Sequence, residues 1–165
     1  MVNTRKAPRR ELRFETLSDL QVELNQLQSA LDRGTLTHTG NWTPGQNFEH
    51  VGKFFKCSMD GFEASAPWIM RFAATLLFKK RALGGEPMPA GLPLPKQASS
   101  LLPSPSVSDH DGLAFLQQQI DRLRAGERMT HPSPIFGPLT HDEWMTIQLK
   151  HAAMHLGFLK DAQTA

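Results

Sequence analysis

Cys57 is the only cysteine in this 165-residue chain, so no disulfide can form within it, and a reducing compartment, the cytoplasm, is the expected location. No apolar run approaches the roughly 20 residues that cross a bilayer, and none follows the early arginines as a secretory signal requires, so neither membrane nor export is expected. A phosphate loop, a Gly-x-Gly-x-x-Gly turn and a Gly-x-Ser-x-Gly elbow are all missing, which leaves nucleotide binding and α/β-hydrolase chemistry without support. Positive charge is hardly in excess, with 18 lysines and arginines against 16 acids. Arg5, Lys6, Arg9, Arg10 and Arg13 stand beside one acid, Glu11, so residues 1–13 form a basic flexible arm of net +4 and the rest carries −2. A basic arm without interleaved aromatics does not make an extended nucleic-acid footprint. Sustained period-two alternation is also absent and β-branched residues are sparse, so an all-α architecture is expected.

What the chain does have is helical periodicity. Leucines at 17, 20, 24, 27 and 31 make one apolar seam, with Ser18 and Gln21 as a capping box at its start and Gly34 at its end, predicting a helix near 17–33. Thr43-Pro44-Gly45-Gln46 sets a capping hydroxyl, a first-turn proline and a glutamine three residues on, and opens a helix near 43–61. The Asn41-Trp42-Thr43 sequon is read as part of this helix start. A shorter helix is expected near 67–82, closed by Lys79-Lys80-Arg81, and two more near 109–125 and 140–160. Between them, residues 84–108 hold six of the twelve prolines and form a long Pro-rich crossover rather than a helix or strand. Residues 14–162 therefore read as a single helical-bundle domain, a four-helix bundle with one long crossover between the second and third main helices.

The last helix carries the most informative pattern. At 100° per residue, Trp144, Ile147, His151, Met154, His155 and Phe158 share one face, which turns two imidazoles one turn apart into the core. Such a pair can ligate a cation, or it can be two core histidines bonded to backbone or to the Gln148 amide. His50, on the second helix, is a candidate third ligand from a different element. It sits opposite the Phe48 and Phe55 stripe, which requires a helix buried on two sides. His38, His110, His131 and His141 are expected to be solvated. Gln46 reads as a capping side chain, or as one that orients a bound ligand from one turn before His50, and Cys57, about 10 Å along the helix from His50, as a small core residue or a pocket-lining one. Ala152-Ala153-Met154 between the late histidines lacks the glutamate of a His-Glu-x-x-His protease.

Trp42-x-x-x-Gln46-x-x-x-His50 and, about a hundred residues on, the Leu139 to Trp144 helix start leading to His151-x-x-x-His155 resemble the DinB-like superfamily, in a branch classed as a domain of unknown function. The resemblance runs from Leu12 to Leu159. It implies an up-down-down-up four-helix bundle and a divalent metal, zinc or nickel, held by His50, His151 and His155. It also implies thiol-dependent transferase or isomerase chemistry in some relatives and none in others.

Two functions are therefore expected to compete. One is a metal-dependent enzyme, a thiol S-transferase or hydrolase acting on a small-molecule thiol or other small substrate. The other is a non-catalytic binding or dimerisation module with structural core histidines. The apolar surface on several helices points to a homodimer, and the Pro-rich segment offers a weaker reading as an interaction motif.

Overall fold

The computed structural model describes residues 2–63, 66–91 and 96–163, and only the backbone of residues 96–98. Pro93 and Pro95 of the crossover lie outside the described residues. Among those described, five α-helices dominate: α1 (Leu17–Asp32), α2 (Pro44–Asp60), α3 (Trp68–Leu83), α4 (Asp109–Arg124) and α5 (His141–Leu156), with a short 3-10 helix at Lys96–Leu101. The chain is mostly helical, as expected, but it is not all-α. Two three-residue strands, β1 (Leu36–His38) and β2 (Leu159–Asp161), pair antiparallel with Leu36 opposite Asp161 and His38 opposite Leu159.

The sheet corrects two expectations, and its cause is local. The last helix was expected to reach residue 160, yet it stops at Leu156 because the backbone of the arm crosses it: the Arg10 N–H donates to the Gly157 carbonyl at 2.8 Å, and a Cβ at Gly157 would lie 2.7 Å from the Arg10 carbonyl oxygen. The freed chain then pairs with the segment after Gly34, whose φ of +69° turns the backbone out of α1. Strands this short cannot show an alternation in sequence.

Capping boxes open three of the helices. Thr43 and Gln46 start α2, as expected, and Thr140 and Glu143 start α5, each hydroxyl accepting the N3 amide and each N3 side chain reaching back. In α1 the box is Thr16 with Asp19, not Ser18 with Gln21. The seam explains the shift, because Leu17 is the first helical residue and the cap must precede it.

Buried residues come from α1 (Leu20, Leu24, Leu27), α2 (Phe48, Val51, Phe55), α4 (Leu116, Ile120) and α5 (Trp144, Ile147, Leu156), so these four helices share one core. The α2 helix lies between α4 and α5. On the α4 side two glycines allow backbone contact: a Cβ on Gly45 would meet the Ser108 carbonyl oxygen at 2.5 Å, and one on Gly112 would overlap the Gly45 carbonyl. Burial on two sides is thus met, and α2 is free to present His50 toward α5. By contrast, α3 buries none of its residues and touches α5 from outside.

Candidate metal centre

His50 follows the capped start of α2 by less than two turns, while His151 and His155 stand one turn apart on the inner face of α5. The helices bring the three together. One ligand nitrogen from each lies within 4.8 Å of the other two, and the ring centroids are 4.5 to 5.0 Å apart. Among the described residues this is the one cluster of three such donors. His50 and His151 are buried, and His155 keeps some residue exposure while its imidazole is desolvated.

Each ring is held differently. The His50 Nδ1–H donates to the Leu101 carbonyl at 2.7 Å, and because a carbonyl only accepts, the proton is fixed on Nδ1 and the Nε2 lone pair is left free. His151 Nδ1 is buried with no hydrogen-bond partner. The Gln148 amide does not satisfy it, since its nitrogen donates to the Phe54 carbonyl at 2.9 Å and to the Ser58 hydroxyl at 3.2 Å. A buried nitrogen without a partner is costly unless something else meets it. Desolvation drives the pKa of all three imidazoles below the ordinary histidine value, far below it for His151 and His155, where neighbouring imidazoles add repulsion. Near neutral pH the cluster offers uncharged nitrogen donors, the form a transition metal requires.

Two features of the surroundings go beyond the expectations drawn from the sequence. The Leu101 carbonyl belongs to the 3-10 turn of the Pro-rich crossover, which lies along α2: Lys53 donates to the Leu102 carbonyl at 2.7 Å and Glu49 accepts the Ser104 N–H at 2.6 Å. The other is an aromatic enclosure. The Trp42 ring stacks on His155 at 5.4 Å and tilts against His50 at 4.7 Å, and Phe54 packs on His151 at 4.6 Å. The position of Trp42, eight residues before His50, was visible in sequence, but its role was not.

The other candidates fall away from this centre. Gln46 completes the Thr43 cap, as the capping reading holds. Cys57 is half-buried and its thiol is pushed up by burial, the opposite of an activated nucleophile. His38 and His110 are exposed. His141 was expected to be solvated, but its Nδ1 accepts the Met129 N–H at 3.1 Å and desolvation lowers its pKa; His131 is half-buried and gives its carbonyl to the Trp144 indole at 2.9 Å. Clefts of about 330 Å3 between α1 and α4 and about 210 Å3 between α2 and α4 lie elsewhere and bring no histidine cluster with them.

Among the described residues no helix is long and apolar enough to cross a membrane. No curated protein and no solved structure matches the chain. A family model described as a protein of unknown function (DUF1569) matches residues 6–162, a span that takes in every helix, the crossover and all three clustered histidines. The chain belongs to the DUF1569 family.

Proposed function

We propose that this chain is a DinB-like, divalent-metal-dependent protein of the cytoplasm, using His50, His151 and His155 as ligands for thiol S-transfer or hydrolysis. The observation that carries the reading is the meeting of three neutral imidazoles within 4.8 Å, with one nitrogen of His151 buried and unpartnered. The donor set fits zinc or nickel, because imidazole is a ligand for both and no carboxylate in the cluster favours a hard cation. Such a metal supplies, when bound, a Lewis acid that lowers the pKa of a thiol or water.

The chain's own residues do the positioning. The Leu101 carbonyl fixes the His50 tautomer, the α5 backbone fixes the spacing of His151 and His155, and the Trp42 and Phe54 rings exclude bulk water from the donors. Three protein donors are one fewer than the four of a closed structural zinc site, which favours an exchangeable partner. The thiol arm of the reading rests on the motif resemblance to the DinB-like superfamily.

The aromatic enclosure supports a second reading, a binding module in which the same histidines are structural. Cobalt(II) separates the two. In the catalytic reading, titrating the cobalt-loaded protein with 2-mercaptoethanol produces a sulfur-to-cobalt charge-transfer band. A visible spectrum unmoved by thiol and by pH contradicts that reading and leaves the structural one.

A further inference from the structure

We propose that the outward face of α3 is a homodimer interface, at which two copies of this chain pack their α3 helices antiparallel about a two-fold axis at Ala73. The inference is independent of the metal reading, since no ligand lies on α3.

The helix is polar toward its own chain and apolar away from it. Arg71, Thr75 and Lys79 recur at a spacing of four and are half-buried. The Thr75 hydroxyl donates to the Phe136 carbonyl at 3.0 Å, and Lys79 pairs with Glu143 at 2.8 Å. From α5, Lys150 donates to the carbonyls of Ala82 and Gly84, each at 2.7 Å. Polar contacts therefore dock α3, while Trp68, Ile69, Met70, Phe72, Leu76, Leu77 and Phe78 are 57% to 73% exposed. Seven large apolar side chains at that exposure present on the order of 800 Å2 of apolar surface per copy. A standard interface buries about 800 Å2 per partner. Patches of this size on a soluble chain mark contact surfaces.

The sequence of the face identifies the occupant. Counted from Ala73, Met70 and Leu76 stand three residues away on either side, Ile69 and Leu77 four, and Trp68 and Phe78 five. A two-fold antiparallel pair places each residue opposite its mirror position, so Met70 meets Leu76 and Ile69 meets Leu77 of the other copy, while Trp68 and Phe78, about 140° round the helix from Ala73, lie outside the contact. A surface that is its own complement is what a two-fold interface demands. Ala73 is exposed at the crossing point and is small enough for the helices to approach, while Ala74 is turned inward. Antiparallel pairing also keeps the two Lys80-Arg81 ends apart and opposes the helix dipoles, whereas parallel pairing brings like charges together. A bilayer has no use for this symmetry, and of the basic residues of α3 Arg71 and Lys79 are turned to the protein, leaving exposed only Lys80 and Arg81 at one end rather than a basic stripe along the helix.

The test is the molar mass of the full chain by sedimentation equilibrium at about 10 μM. The expected result is twice the 18.4 kDa of one chain. Leu76→Glu/Leu77→Glu, at two exposed positions, is expected to weaken dimerisation at least tenfold with the helical circular dichroism unchanged. Ala73→Cys in a Cys57→Ser background is expected to form an intermolecular disulfide on mild oxidation, and Lys80→Cys in the same background is not. A monomeric wild-type chain overturns the proposal, and binding of that monomer to phosphatidylcholine and phosphatidylserine vesicles would assign the face to lipid instead. A dimer that survives the double glutamate variant overturns it as well.

Discussion

Burial at some titratable side chains of this protein, and hydrogen bonding at others, sets their charge. At the histidine cluster burial removes charge, and the Leu101 carbonyl then selects which His50 nitrogen carries the proton. At Asp60 the outcome is the reverse. Hydrogen bonds from Arg122 and then Lys56, whose Nζ is 2.7 Å away, hold this carboxyl well below its ordinary 3.8, at about 2. A folded pKa below the unfolded one means stabilisation that is complete above pH 4 and is lost as pH falls toward 2. The full shift corresponds to about 2 kcal/mol, which the one-third exposure of the Asp60 side chain reduces to about 1 kcal/mol. Asp60→Asn is therefore expected to cost about that much at pH 7 and to flatten the acid limb between pH 4 and 2. Urea melts across that range check it, and a variant with an unchanged acid limb contradicts the assignment.

At the scale of elements, the contact between α2 and α4 sets where His50 points. Gly45 and Gly112 bring the two backbones together, and the Gly45 N–H donates to the Asp109 carboxylate at 2.7 Å. Gly112→Ala would force a Cβ into the Gly45 carbonyl, and backbone there cannot yield as a flexible side chain does. The expected cost is about 2 to 3 kcal/mol. Gly85→Ala, with nothing within 4 Å, is expected to be near neutral, and equal denaturation midpoints for the two variants would contradict the close-approach account. The helices themselves were legible, because capping at Thr43 and Thr140 and the leucine seam of α1 are local signals. The inward turn of His151 and His155 was legible for the same reason, as a helical period. The strand pair was not, since β2 exists only because the arm blocks α5 at Gly157, a contact between opposite ends of the chain. Nor was the placement of α3, expected only as a shorter helix, whose apolar side chains are turned outward.

Over the whole molecule, distant parts of the chain converge on one small region. The arm reaches the end of α5, just past His155, through Arg10, whose guanidinium donates to the carbonyls of Leu156 and Leu159 and pairs with the buried Glu23 at 2.5 Å. The loop before α2 contributes Trp42, and the crossover contributes the Leu101 carbonyl from 51 residues beyond His50. The approaches of Arg10 and of the Leu101 carbonyl are not visible as motifs, because a carbonyl has no sequence signature, and Trp42, though part of the motif before His50, does not show its role until its ring neighbours are known. The whole arrangement predicts one metal site per chain, dependent on all three imidazoles at once. The most direct measurement is elemental analysis of protein purified without an affinity tag, beside His50→Ala, His151→Ala and His155→Ala. About one equivalent of zinc or nickel in the parent chain, lost from each variant while the helical circular dichroism is kept, is the result the account predicts. A parent chain that binds neither metal after reconstitution, or three variants that keep the parent's stoichiometry, would contradict it.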